Sequence, residues 1–296
     1  MDKKIKIALI GAGKWGKNLL KELVLQTDVM YVCHNESEET AKFLKETYPS
    51  IKSATSLEKV LSDKNVEAAV IATPIPTHKA IALKAIEAGK HIFLEKPGGK
   101  NSGELEEICQ SAEKKGVILA IGYEFIHHPA WKKICEVIPK SFVQSIHMEW
   151  FKWGSFDYNI VINLLCHEIS LLQSFGVEVK LKNGSAYKII SDSDIVDVIL
   201  DCKTFQATSY INCISTEKRK TVTVVGKKET LIWNGNDLFS IEHASQSLVP
   251  IEIEKSSPVS IEIKDFLEAV REKREPKASG QFALKIFKII ERVNSL

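Results

Sequence analysis

The chain has 296 residues, 44% hydrophobic and 26% charged, with a formal net charge of +2. That length suits two domains, and the composition is ordinary for a soluble globular protein. The near-neutral balance gives no case for a nucleic-acid or membrane partner, and no apolar run approaches the roughly 18 residues of a membrane span.

The first residues, Met1 to Lys4, lead straight into a strand with no signal-peptide pattern. Cys33, Cys109, Cys135, Cys166, Cys202 and Cys213 are scattered without a Cys-x-x-Cys pair. Reduced thiols and a cytoplasmic location are therefore expected.

Lys4 to Ile10 is a β-rich run followed by Gly11-Ala12-Gly13-Lys14-Trp15-Gly16. A helical pattern with Leu19, Leu20, Leu23 and Val24 on one face comes next. This is G-x-G-x-x-G in the context that dinucleotide binding requires. Gly11 allows the tight turn, Gly13 lets a pyrophosphate approach the backbone, and Gly16 lets helix and strand pack closely. The helix N-terminus faces the phosphates.

The second strand, Val29 to Cys33, ends in His34-Asn35-Glu36. An acid that would hold the NAD ribose is missing from the strand end, and Glu36 is the nearest substitute. NADP would call for a cation, usually arginine, and no arginine precedes Arg219. NAD is expected, with NADP left open through a lysine or His34.

The alternation continues. Lys42 to Tyr48 closes a helix, and Ser56 reads as the N-cap of Leu57 to Leu61. Ala68 to Ala72 is an apolar strand ending at Thr73-Pro74, and His78 to Ala88 is a helix stopped by Gly89. Ile92 to Leu94 is a buried strand closed abruptly by Glu95-Lys96-Pro97. Ligands bind outside the carboxyl ends of parallel strands, which is where Glu95 and Lys96 stand. Asn101 with Glu104 resembles a capping box opening a helix to Lys115, and Val117 to Gly122 is another strand. This rhythm implies a doubly wound parallel sheet over residues 1–122.

After Gly122 the pattern changes. Tyr123 to His128 is a connector, Pro129 to Ile138 a helix, and Gln144 to Phe151 a strand. Asp157 to Phe175 reads as partly helical. Ile195–Leu200, Ala207–Ile214, Thr221–Val225, Thr230–Trp233 and Val249–Ile253 are β runs with Asn234-Gly235 as a turn. Strands in succession imply a mostly antiparallel sheet in an α+β domain, residues 123–296. Two amphipathic helices close the chain, one through Ile263, Phe266, Leu267 and Val270, the other over Gln281–Asn294. The last is free to pack back on the first domain.

The glycine loop, Ala72-Thr73-Pro74 with His78, Ala88-Gly89-Lys90-His91 and Glu95-Lys96-Pro97 together resemble the glucose-fructose oxidoreductase, inositol dehydrogenase and MocA (Gfo/Idh/MocA) family. The likeness is strong over the first 135 residues and weak in the middle sheet. Trp15-Gly16-Lys17-Asn18 and Phe125-x-x-His128-Pro129-Ala130 are most similar to nucleotide-sugar dehydrogenases.

The resemblance implies hydride transfer between nicotinamide and a ring hydroxyl or ketone of a sugar-like small molecule. Inositol and dihydrodiol dehydrogenases share that mechanism. It implies a cofactor site built from Gly11, Gly13, Lys14, Trp15, Gly16, His34, Asn35, Thr73, Pro74, His78, Glu95, Lys96 and Tyr123. Lys96 would hydrogen-bond the reacting oxygen. Asp157 to His167 aligns without gaps with the family's catalytic segment, so His167 matches the catalytic histidine and acts as general acid/base. The family's aspartate is Asn163 here, and Glu168 stands for the usual aspartate after the histidine. Asparagine can position an imidazole or a hydroxyl but does not stabilise an imidazolium as a carboxylate does. That departure motivates an alternative, a catalytically silent NAD(P)-binding ligand sensor.

No metal site is expected. His167-Glu168-Ile169-Ser170-Leu171 lacks the second histidine of a metalloprotease motif, and His127-His128 reads as a loop. Lys218-Arg219-Lys220 and Lys227-Lys228 read as solvated strand ends. An antiparallel sheet with apolar residues at alternate positions needs a cover on both faces, so a homodimer or homotetramer through the C-terminal sheet is expected.

Overall fold

The protein, a computed structural model, is described over residues 4–154, 156 and 159–296. Asp157 and Tyr158, which open the segment matched to the catalytic region, lie outside the described residues. The chain forms two compact units. One runs to Tyr123 and takes in Val259–Leu284; the other comprises Glu124–Pro258 and Lys285–Leu296.

In the first unit, strands β1 (Lys6–Ile10), β2 (Asp28–Cys33), β3 (Lys52–Ala54), β4 (Ala68–Ile71), β5 (His91–Glu95) and β6 (Leu119–Gly122) alternate with helices. These are α1 (Lys14–Gln26), α2 (Glu38–Thr47), α3 (Leu57–Ser62), α4 (Ile75–Glu87) and α5 (Ser102–Lys115). The strands are all parallel, in the order β3-β2-β1-β4-β5-β6. This is the doubly wound dinucleotide-binding order, with its switch point between β1 and β4. Central strands covered on both faces need unbroken apolar runs. Ala68–Ile71 is such a run, buried at every position.

Local chemistry sets the helix ends. Ser37, Ser56 and Asn101 accept from the amides of Thr40, Lys59 and Glu104, as N-caps do. The Glu104 carboxylate returns to the amide of Lys100, one residue before the position a capping box would use. Gly116 ends α5 in the left-handed region at φ 70°. Helix α8 (Pro258–Glu272) places Phe266 edge-on against Phe93 at 5.8 Å. Phe266, Ile263 and Leu267 enter the same core cluster as Leu9, Val70 and Phe93. Each such burial contributes about 1.5–3 kcal/mol, which explains why α8 belongs with this unit.

The second unit holds an eight-stranded sheet ordered β14-β13-β12-β11-β7-β10-β9-β8. The strands are β7 (Val143–Trp153), β8 (Lys180–Tyr187), β9 (Ile195–Asp201), β10 (Gln206–Asn212), β11 (Ile214–Gly226), β12 (Glu229–Trp233), β13 (Leu238–Glu242) and β14 (Ser247–Ile251). Only the β7–β10 pairing is parallel. Helices α6 (Pro129–Val137) and α7 (Cys166–Ser174) belong to this unit, and α9 (Gly280–Asn294) ends in it. Burial alternates along β10: Ala207, Ser209 and Ile211 are buried, while Thr208, Tyr210 and Asn212 are half-buried. Three strands, β3, β8 and β13, have no counterpart in the sequence reading. No helix among the described residues is long and apolar enough to cross a membrane.

Candidate active site

In the first unit the loops after β1, β4 and β5 lie side by side, because Ile10 pairs with Ile71 and Ile71 with Leu94. The three glycines of the first loop meet different demands. Gly11 has φ 97°, and a Cβ there would stand 2.5 Å from the Ala72 carbonyl oxygen. A Cβ on Gly16 would stand 2.1 Å from the Gly11 oxygen, so this residue lets α1 close onto the loop. A Cβ on Gly13 would meet nothing within 4 Å. Neither packing nor φ within the protein demands glycine at 13, and the open backbone there leaves room for a ligand to approach. Gly13 is also the N-cap of α1 and offers its first turn no side-chain acceptor. The exposed helix start, with no acidic residue in its first turn, fits a pyrophosphate.

Lys14 and Trp15 are exposed on that turn. The Trp15 indole N–H donates to one oxygen of Glu95, and the other oxygen accepts from the Lys96 amide at 3.2 Å. Glu95 is buried, and Gly122 makes room for it: a Cβ there would press on the carboxylate at 3.0 Å. Glu95 is thus a fixed anchor at the end of β5, with Lys96 half-buried beside it and a cis bond to Pro97. Pro74 is exposed and Thr73 half-buried at the end of β4. Thr77 Oγ1 bonds the Thr73 hydroxyl at 2.8 Å.

Three further residues expected at the cofactor site are buried. His78 is fully buried, its Nε2 bonded to the Thr73 carbonyl at 2.7 Å, so it shapes the loop from behind. Burial pulls its proton affinity below the ordinary histidine value. Tyr123 is also fully buried, packed edge-on against Phe282 at 6.0 Å. At the end of β2, His34 is buried too. Its Nε2 bonds Ser53 at 2.8 Å and its Nδ1 contacts the Asn35 carbonyl. Asn35 and Glu36 are the exposed residues there.

In the second unit, Asn159 Oδ1 accepts from the amides of Val161 and Ile162 and starts a helical turn. Val161–Leu165 is wound as a π-helix and holds Asn163; α7 follows with His167 in its first turn. π-helical turns interrupt α-helices mostly at functional positions. His167 is buried against Phe125, ring centres 4.6 Å apart, and near Trp150 at 6.1 Å.

One residue was missed. Lys220, expected to be solvated with Lys218 and Arg219, keeps only its stem partly exposed, and its Nζ is buried. The ammonium lies over Phe125 at 2.9 Å, Trp150 at 4.1 Å and Trp233 at 5.6 Å. Strand alternation explains it: Lys220 shares its face of β11 with buried Val222 and Val224, whereas Arg219 faces the other way over Phe151. Glu168 is buried and accepts from the Ser209 hydroxyl. Burial pushes the Glu168 carboxyl up and pulls the Lys220 ammonium down, each opposed by the other's charge. His128 stacks on Trp233 at 4.4 Å, and burial, with Lys220 nearby, holds it down at about 4. Among the described residues no group of three His, Cys, Asp or Glu could hold a metal ion.

Residues 5–123 match a family model described as an oxidoreductase family with an NAD-binding Rossmann fold. UDP-N-acetylglucosamine 3-dehydrogenase of Acidithiobacillus ferrooxidans is 23% identical over 90% of this chain and 88% of its own. Myo-inositol 2-dehydrogenase of Thermotoga maritima is 24% identical over 49% of this chain and 43% of its own. Mouse trans-1,2-dihydrobenzene-1,2-diol dehydrogenase is 33% identical over 35% and 31%. The solved structure of the Acidithiobacillus enzyme shares the fold, with a TM-score of 0.89 at 20% identity over 100% of this chain and 98% of that one.

Proposed function

We propose that this chain, whose residues 5–123 match the Gfo/Idh/MocA family of NAD-binding oxidoreductases, transfers a hydride between nicotinamide and a ring hydroxyl of a nucleotide sugar. The observation that carries the reading is the meeting of three loops at the switch point: open Gly13, Thr73-Pro74, and Glu95-Lys96 tied to Trp15. A relative that aligns with 90% of this chain, substrate unit included, is a nucleotide-sugar dehydrogenase. The inositol and dihydrodiol enzymes match half the chain or less, so they speak mainly for the shared chemistry.

When bound, the nicotinamide supplies the hydride acceptor or donor. The N-terminus of α1 and the Gly13 backbone hold the pyrophosphate, and Lys14 adds positive charge there. Thr73 and Pro74 line the nicotinamide side, and Lys96 hydrogen-bonds the reacting oxygen. In the oxidising direction the carbon gives up a hydride and the hydroxyl gives its proton to His167. Asn163 orients rather than charges the imidazole. NAD is preferred to NADP, since no arginine precedes Arg219 to grip a 2′-phosphate.

Nicotinamide fluorescence with NADH and with NADPH, followed by absorbance assays across nucleotide sugars, sugars and inositols, tests this reading. Tighter NADH binding and turnover of a nucleotide sugar are expected. NADH binding without hydride exchange on any of these substrates would argue for a sensor instead.

The six cysteines are free thiols, which suits the cytoplasm. The chain assembles as a homodimer or homotetramer through the sheet. The row Ile199, Thr208, His147, Thr223, Ile232 and Phe239 runs in register across six strands on the less buried face. Light scattering of the purified chain should give two or four copies; a monomer would end the idea.

A further inference from the structure

We propose that Lys220 is a positioning residue for this reaction: its buried ammonium, held against the rings that pack His167, keeps that imidazole neutral and ready to accept the substrate proton. The inference rests on His167 being the proton carrier.

The geometry comes from one aromatic nest. Lys220 Nζ stands 2.9 Å from the centre of Phe125, and the His167 ring centre stands 4.6 Å from the same point. Ammonium and imidazole are therefore no further apart than those two distances laid end to end. Trp150 touches both, and it pairs with Lys220 in register between β7 and β11. Among the described residues the ammonium has no hydrogen-bond partner and no salt bridge. Ring faces hold it instead. A lysine placed only for stability would cost less with its head in water.

The charged and titratable groups around it come from several elements. Glu168 and Cys166 stand on α7, and Glu124 lies in the turn before α6. His128 stacks on Trp233, and Glu149 on β7 acts on Glu168. Glu168 is the main counter-charge, yet its carboxylate is engaged by Ser209 on β10. The cation thus shares Phe125 and Trp150 with His167, while Ser209 holds the Glu168 carboxyl. While Lys220 is protonated, its charge within about 7–8 Å at an effective dielectric near 20 moves a titration by roughly one to two pH units. Asn163 works in the same direction, since it places no carboxylate where one would favour imidazolium.

The test is a titration of His167 by nitrogen NMR in the full chain with labelled histidine, its signal assigned by loss in His167→Gln. In Lys220→Met the midpoint should rise by about one unit, and in Lys220→Arg it should stay near wild type. An unmoved midpoint in Lys220→Met, or an equal rise in Lys220→Arg, would overturn the proposal. If Lys220→Met fails to fold because Glu168 is left without its counter-charge, Lys220→Met with Glu168→Gln removes both charges. A rise there supports the inference and no change refutes it. Undiminished turnover in His167→Ala would remove the proton-carrier reading while leaving the NMR result intact, so the two failures are distinguishable.

Discussion

The indole of Trp15 donates to the carboxylate of Glu95, joining the first turn of α1 to the end of β5 across 80 residues of sequence. This bond holds the glycine loop and the Lys96 loop in one arrangement. Trp15→Phe keeps the ring and removes the donor. The loss should cost about 1–2 kcal/mol of stability and weaken NADH binding roughly three- to tenfold. Thermal melting and a fluorescence titration check it; unchanged values in both would show that the bond positions nothing.

The glycines separate a folding demand from a ligand demand. Gly16→Ala forces a Cβ onto the Gly11 backbone and should destabilise by about 2–3 kcal/mol. Gly13→Ala meets open space, so its stability should stay within about 1 kcal/mol of wild type. Its NADH affinity should nonetheless fall by at least about tenfold, because the added methyl stands where the pyrophosphate approaches. Denaturant melts with parallel NADH titrations measure both; full affinity in Gly13→Ala would take the pyrophosphate away from this loop.

The strict alternation of fully apolar strands with capped helices made the first sheet legible in the sequence. Two edge strands, β3 and β8, were not. Lys52–Ala54 has three residues and no fully buried side chain, and Lys180–Tyr187 has none buried, so neither carries a hydrophobic signal. The turn at Gly11 and the close packing at Gly16 followed from spacing, because each serves a local backbone need. His78, His34 and Tyr123 did not, since burial depends on which elements cover them. Lys220 looked solvated inside Lys-Arg-Lys. Phe125, Trp150 and Trp233, from three distant segments, cover its head. The signal that was present is its place two residues before Val222 and four before Val224.

His128 gives a pH prediction. Its folded value is lowered from 6.5 to about 4, so below pH 6.5 the unfolded chain takes up a proton that the native chain refuses. The stability it confers is complete above pH 6.5 and is lost as the pH falls towards 4. His128 Nδ1 also accepts from the Ala130 amide as the N-cap of α6, a role asparagine can fill. His128→Asn should match wild type at pH 7 and melt higher than wild type near pH 5. Identical pH profiles for the two proteins would contradict this.

In the proposed reaction His167 carries the proton of a hydride transfer. Once a turned-over nucleotide sugar is in hand, the direct measurement is kcat for wild type and His167→Ala, with NADH affinity measured beside it. Turnover in His167→Ala should fall by about 10²–10⁴-fold with NADH affinity nearly unchanged. Undiminished turnover in His167→Ala would contradict it.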